Sequence, residues 1–330
     1  MSRYGHEFYK EYGVGKFGLH KAFRVVHEEE GARIVPIRNI AHVALDDFFR
    51  EHPYEIVHCH LNYKSGVVLA AAKKAGIPIR VAHAHTAGMS AGFSKLARIV
   101  MKPLIPLTAT HCFACGKTAG DAIFSGMPYE LIPNAIDAEA LRFGAQTRQR
   151  MRGELELGEA FTVIHVGRFG GEKNHAFLLD TFAEVLKTEP GAKLVLAGDG
   201  PLRTEMEQKA AMLSEGSVRF LGVRKDVPDL LQAADVFAFP SIFEGLPVTM
   251  IEAQASGLPC VKSDTVTDEC IVTDLVTSLP IDDPKPWAAA ILAKRDMPRI
   301  DRLTEIQASG YDITAAAEKL TRFYLNGEIL

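Results

Sequence analysis

Short runs of β-branched and apolar residues alternate with helix-length stretches along this chain, and the series starts afresh near its midpoint. Such alternation builds parallel sheets covered by helices, because two parallel neighbours need a crossover long enough to hold a helix. In the first half the strand candidates are residues 33–37, 55–60, 77–85 and 111–115. Between them, 65–75 reads as an alanine-rich helix closed by Gly76 and Pro78, and 129–137 reads as a last strand entering a loop. The second series places strands at 161–167 (FTVIHVG), 193–197 (KLVLA), 218–222 (VRFLG) and 235–240 (DVFAFP), with helices at 176–187 and 227–234. The polar tract 146–159 reads as the interdomain connection. At the end, 312–325 reads as an amphipathic helix capped by Asp312, with Ile313, Leu320, Phe323 and Tyr324 on its apolar face. The expectation is an α/β protein of two doubly wound, Rossmann-like domains, residues 1–147 and 148–310, facing each other across a cleft. Residues 311–330 are expected to pack back toward the first domain.

A chain of 330 residues is long enough for two such domains. Its formal net charge of −4 argues against a nucleic-acid binder that relies on bulk positive charge, but not against a nucleotide, which needs only a few well-placed cations. No stretch reaches the ~20 apolar residues of a membrane span. Residues 1–10 lack the apolar segment of a signal peptide, so the expected location is cytoplasmic. Five cysteines, Cys59, Cys112, Cys115, Cys260 and Cys270, are too sparse for a disulfide scaffold.

Ligands of open parallel sheets bind beyond the carboxyl ends of the strands. The loop after 235–240 reads SIFEGLPVTMIEAQASGLP. Pro247 suits a first helical turn, while Gly257 and Pro259 suit its end, so a helix over 247–256 presents its amino end to the ligand side. Free N–H groups and the positive end of the helix dipole make that end a seat for phosphate, and Gly245 has no side chain to obstruct it. Glu244 and Glu252 flank the seat; a carboxylate accepts two hydrogen bonds and so matches a vicinal diol. Taken singly, each glutamate is equally an ordinary complement to a helix dipole or a solvated helix residue. The loop after 161–167 (VGRFGGEKN) carries Arg168 and Lys173 around Gly170 and Gly171; two such cations can neutralise a diphosphate and stabilise it as a leaving group. Its glycine spacing matches neither the Rossmann nor the Walker pattern, so its weight comes from its partner loops. Residues 198–201 (GDGP) form a tight turn, and Gly222 and Val223 stand just past a strand end, where backbone groups could meet a base edge.

The run 166–264 resembles the nucleotide-sugar-binding half of the family 4 glycosyltransferases, which have the GT-B fold. The matching strings are VGRFGGEKN, LAGDGPL, FLGVRKDV and FPSIFEGLPVTMIEAQASGLP, the last holding the family's E-x7-E pattern at Glu244 and Glu252. EIVHCHLNYKSG, PIRVAHAHT and CVKSDTVTDE are similar to the exopolysaccharide and capsular-polysaccharide branch, and the resemblance covers nearly all of the chain after Glu28. It implies that Gly167, Arg168 and Lys173 hold the donor diphosphate and that Gly222, Val223 and Arg224 surround the base. It further implies that Glu244 contacts the transferred sugar, with backbone amides of Gly245, Leu246, Pro247 and Val248 nearby, and that Glu252 binds the ribose. The implied reaction transfers the sugar with retention of configuration and without a bound metal or other cofactor; the expected donor is a nucleotide sugar with uracil as its base, a UDP-sugar, and the expected acceptor a saccharide or polyprenyl-linked sugar. Relatives open with a core strand, a glycine-rich loop and a helix; residues 1–27 do not show that unit, which is expected to be missing or rewritten. Two other readings compete: a nucleotide-sugar-binding protein left with little or no catalysis by that loss, and a GT-B epimerase.

His58/His60 and His83/His85 fall on alternate positions of two strand ends, so each pair shares a face. A four-imidazole metal site, inert cleft-lining histidines, and a sugar-contacting role for His85, which the resemblance implies, are all open. Cys112-x2-Cys115 has redox or zinc spacing but sits in an apolar strand, where buried structural cysteines are the alternative. Residues 93–107 mix Lys95, Arg98 and Lys102 with apolar residues; they read either as a core helix with snorkelling cations or as a contact with the inner membrane surface.

Overall fold

A computed structural model describes residues 22–28, 31–37, 45–52, 54–85 and 98–326. The chain divides into two compact units. One runs up to Ala135 and takes in the residues from Ile313 onward; the other is Ile136–Asp312.

The first unit holds a six-stranded sheet in the order β2-β1-β3-β4-β5-β6. Its strands are β1 (Ala22–Glu28), β2 (Gly31–Ile37), β3 (Ile56–Cys59), β4 (Ile79–Ala84), β5 (His111–Ala114) and β6 (Glu130–Leu131). From β3 to β6 the neighbours are parallel, as the strand–helix alternation requires. β1 departs from the expectation: it pairs antiparallel with both β2 and β3. Two residues separate β1 from β2, too few for a crossover, so these strands can only be antiparallel neighbours. AFRVVHE adds a strand beyond those that the β-branched runs predict; the glycines of residues 11–18 lie outside the described residues. One face of the sheet (Val57, Cys59, Ala82, Ala84, Ala114) packs against Val68, Leu69 and Ala72 of helix α1 (Ser65–Lys74).

The second unit is a fully parallel sheet in the order β12-β11-β10-β7-β8-β9. β7 (Thr162–Val166), β8 (Lys193–Ala197), β9 (Val218–Gly222) and β10 (Val236–Phe239) fall where the β-branched runs predict them, while β11 (Cys260–Ser263) and β12 (Val276–Leu279) extend the sheet. The tract 146–159 is not a linker. Residues Ala145–Glu154 form helix α2, and Ile136, Ala138, Leu141, Met151, Leu155 and Leu157 all enter the core of the second unit. Arg148 and Arg152 give the tract its polar look, yet both turn inward. Arg148 pairs with Asp235 at 2.5 Å, and the Arg152 guanidinium donates to the carbonyls of Gly158, Ala160 and Ala233. The boundary between units therefore falls a helix earlier than expected.

Helix α3 (His175–Thr188) follows β7, and helix α4 (Val248–Ala255) follows β10 with Pro247 at its N-cap, one residue later than predicted. Helix α5 (Ile313–Asn326) returns to the first unit. Its Ile313, Ala316, Ala317, Leu320 and Phe323 cover the sheet face carrying Ile56, Val81 and Phe113, opposite the α1 face.

Candidate functional site

In the second unit the chain leaves β7 toward β8 and β9 on one side and later returns to β10 on the other. β7 and β10 are therefore adjacent strands whose following loops diverge, and their carboxyl ends form the switch point at which open α/β sheets bind ligands. The two loops that sequence reasoning singled out are those two.

The β7 loop is held stiffly. Phe169 is buried and stacks on His175 at 4.0 Å, which anchors the loop to the start of α3. Phe169 N–H donates to the Asp199 carbonyl and Gly167 N–H to that of Ala197, tying this loop to the one after β8. That second loop can approach only because residue 198 is glycine: at φ +146° a Cβ there would stand 1.9 Å from the Gly167 carbonyl oxygen. Gly198 N–H in turn donates to the Gly222 carbonyl, so three strand ends are stitched in series.

Between the β7 and β10 loops, Ile242 N–H donates to the Glu172 carbonyl at 2.8 Å. The next residue, Lys173, runs its stem 3.3 Å from the Cβ position of Gly167, and its ammonium lies 4.9 Å from the Phe239 ring centre. That ammonium stands 2.5 Å from Glu244 Oε1, each side chain less than one-fifth exposed. The contact lies off the hydrogen-bonding direction of that oxygen, so it is an ion contact whose carboxylate still has an unfilled acceptor. The structure thus joins two residues that the sequence had assigned separate tasks. Arg168 projects into solvent from the same loop, and among the described residues it has no side-chain partner. Beyond Glu244, Pro247 offers α4 no side-chain cap, which leaves the first N–H groups of the helix open to an anion. Glu252 is half-buried on that helix. At the end of β9, Gly222 takes φ +67°, and the next residue, Val223, is 75 % exposed. Arg224 is held in a fork by Asp226 at 2.5 and 2.8 Å, so its guanidinium is already committed next to the expected base position.

Two residues under this site were missed. His165, fully buried on β7, donates from Nδ1 to the Ala238 carbonyl at 2.8 Å and aims Nε2 at Gly167. Burial, reinforced by His175 and the Lys173 charge, drives its pKa well below the usual histidine value, so the floor beneath Lys173 is a neutral imidazole. Burial also lowers His175 to about 4. The period-2 placing of His165 two residues before Gly167 was the available signal.

In the first unit the four histidines meet. His58 and His83 are buried and joined edge to edge, Nε2 to Nδ1, at 3.0 Å; His60 and His85 are joined Nδ1 to Nε2 at 2.6 Å. The two pairs lie against each other, His58 stacked on His60 at 4.2 Å and His83 tilted against His85 at 4.1 Å. Burial lowers the pKa of His58 to about 3 and of His85 to about 4, and drives that of His83 well below the usual histidine value, so these three rings are neutral at pH 7. Ring nitrogens of His58, His60 and His83 lie within 4.8 Å of one another, near enough for a metal, and among the described residues His60 Nε2 and His83 Nε2 are buried without a hydrogen bond. Cys112 and Cys115 are buried thiols in the core of this unit, and burial pushes Cys112 up to about 11. Around residues 98–108 the cations turn inward, Arg98 and Lys102 donating to the Ala122 carbonyl, while Ile99, Val100 and Leu107 are more than 60 % exposed. Lys95 lies outside the described residues.

Residues 160–294 match the family model for glycosyl transferases group 1, and residues 5–140 match that for glycosyltransferase family 4. A putative glycosyltransferase of Bacillus subtilis, EpsF, is 38% identical over 289 residues, which cover 82% of this chain and 75% of that protein. The chain belongs to glycosyltransferase family 4. This family 4 glycosyltransferase is also 29% identical over 247 residues to an Escherichia coli enzyme named UDP-Gal:alpha-D-GlcNAc-diphosphoundecaprenol alpha-1,3-galactosyltransferase; the match covers 70% of this chain and 63% of that one. Its fold is GT-B: the crystal structure of Anabaena HepE in complex with UDP and glucose superposes with a TM-score of 0.70 at 21% identity, over 86% of this chain and 81% of that one. Among the described residues no helix of this glycosyltransferase is long and apolar enough to cross a membrane.

Proposed function

We propose that this glycosyltransferase moves a sugar from a nucleotide sugar, a UDP-sugar, to a saccharide or polyprenyl-linked acceptor with retention of configuration, in the assembly of an exopolysaccharide or capsule. The observation that carries the reading is the contact between Lys173 and Glu244 at the β7/β10 switch point, with an uncapped helix end and the exposed Arg168 on the same two loops. Arg168, Lys173 and the first N–H groups of α4 hold the diphosphate. As the glycosidic bond breaks, charge grows on the leaving phosphate, and the two fixed cations stabilise it in the way a divalent ion would. Lys173 then trades its carboxylate partner for phosphate, and Glu244 turns its oxygens to the sugar hydroxyls. Glu252 takes the ribose diol, backbone groups of Gly222 and Val223 take the base edge, and His85 contacts the transferred sugar. The uridine donor and lipid-linked acceptor are supported by the names of the E. coli and Anabaena relatives. Polysaccharide assembly is supported by a Staphylococcus aureus relative named as a capsular polysaccharide biosynthesis glycosyltransferase. The protein works at the cytoplasmic side of the membrane, touching it through the exposed Ile99, Val100 and Leu107.

The test is product formation from a panel of UDP-sugars and a polyprenyl-diphosphate-linked saccharide, read by mass spectrometry, with the new anomeric centre assigned by NMR. An anomer matching the donor and turnover that survives EDTA are expected. An inverted anomer, loss of turnover with EDTA, an epimerised donor, or nucleotide binding without any transfer each overturns the corresponding part.

A further inference from the structure

His85 follows β4 at its carboxyl end, and each of its ring nitrogens has one neighbour. Asn134 Oδ1 lies 3.2 Å from Nδ1, and His60 Nδ1 lies 2.6 Å from Nε2. A carbonyl oxygen only accepts, so Nδ1 carries the hydrogen; a neutral imidazole has one N–H, so Nε2 is a lone pair and His60 must supply the hydrogen between the rings. The residue has little freedom to turn away. Its backbone N–H donates to Asn62 Oδ1 at 2.8 Å, and its ring centre lies 4.1 Å from that of His83, the two rings tilted. The second layer is closed in a similar way from α5, where the Tyr324 hydroxyl meets His58 Nδ1 at 2.6 Å.

We propose that His60 and Asn134 are positioning residues that hold the His85 imidazole as its Nδ1–H tautomer, with the Nε2 lone pair, which the His60 N–H occupies, as the one position it can offer a ligand. The consequence for catalysis rests on the reading that places His85 at the transferred sugar; the tautomer itself does not. A sugar hydroxyl reaching His85 meets an acceptor and replaces the His60 N–H there, whereas a group that can only accept finds no donor. The titratable groups facing His85 are His60 and His83, with His58 and the Tyr324 phenol one layer away, and among the described residues no charged side chain pairs with it. Burial keeps the ring neutral, as the lowering to about 4 indicates.

The experiment is long-range proton–nitrogen correlation NMR on the full chain with 15N-labelled histidine at pH 7, His85 being assigned from the His85→Gln spectrum. A protonated Nδ1 and bare Nε2 are expected in the wild type, with the two tautomers mixing in His60→Gln and in Asn134→Ala. Asn134→Asp, close in shape to the native residue, sets a carboxylate beside the Nδ1–H and should raise the His85 titration by at least about one pH unit, the acid limb of kcat moving with it. In His60→Gln, kcat should fall about tenfold or more while KM for the donor holds. An Nε2–H tautomer in the wild type, unchanged spectra in the variants, or a stoichiometric metal in the purified protein overturns the positioning. A variant with mixed tautomers and wild-type turnover overturns instead the placing of His85 at the sugar.

Discussion

Replacing Lys173 by alanine removes one ammonium from the junction of the β7 and β10 loops, where it sits 2.5 Å from Glu244 with about one-sixth of its side chain exposed. Two unit charges 4 Å apart in surroundings of effective dielectric about 20 interact by about 4 kcal/mol. The leaving diphosphate gains up to one further charge in the transition state, and part of the ammonium's field is spent on Glu244. A net loss of about 2–3 kcal/mol follows, which lies near the range for deleting one donor to a developing anion. At about 1.4 kcal/mol per tenfold, kcat should fall about 30- to 160-fold. Initial rates with saturating UDP-sugar, read as UDP release, measure it; thermal melting should move by only a few degrees, since the lysine stem is replaceable packing. Lys173→Arg, which keeps the charge but not its point-like geometry, should recover part of the loss. Wild-type turnover in Lys173→Ala would refute the reasoning. So would an equal fall in Lys173→Ala and Lys173→Arg accompanied by a collapse of the fold, because the loss would then be structural.

Glu252→Ala should weaken UDP binding about tenfold in isothermal titration while leaving the melting temperature close to that of the parent, as expected for one lost charge-assisted hydrogen bond. Gly198→Ala forces a Cβ to within 1.9 Å of the Gly167 carbonyl at a left-handed φ, and should destabilise the second unit by about 2 kcal/mol or more, seen as a lower denaturation midpoint. Burial holds His58 at about 3 and His85 and His175 at about 4, below the ~6.5 of an unfolded histidine. Between those limits the unfolded chain binds more protons than the folded one, so stability is fully present above about pH 6.5 and is lost as pH falls toward 4. Denaturant melts over that window should show a slope above about 1.4 kcal/mol per pH unit, more than one proton's worth; a flat profile would contradict the neutral cluster.

The central strands of the second unit were legible because they are buried on both faces and are dominated by Val, Ile, Leu and Phe, with His165 interrupting β7. β11 was harder: Lys262 breaks its apolar run, yet that side chain is fully buried, its ammonium donating to the Val266 and Ser263 carbonyls and facing Asp268 at 2.9 Å. The same inversion hid α2, whose Arg148 and Arg152 turn to backbone carbonyls rather than solvent. At the site, the spacing of charges and glycines around two strand ends pointed to the two loops that follow the adjacent strands β7 and β10. It could not show that Lys173 reaches Glu244, since that depends on which strands are neighbours, and sheet order is a tertiary property. The histidine pairs were visible at period 2, but their edge-to-edge joining follows from the register between β3 and β4.

The central claim, that a diphosphate seats on the amino end of α4 between the β7 and β10 loops, is tested most directly by a crystal structure of the chain with UDP. The account predicts phosphate oxygens within hydrogen-bond distance of the Val248 end of that helix and of the Lys173 ammonium, with the Lys173–Glu244 contact opened. UDP bound elsewhere, or bound there with Lys173 still closed on Glu244, would contradict it.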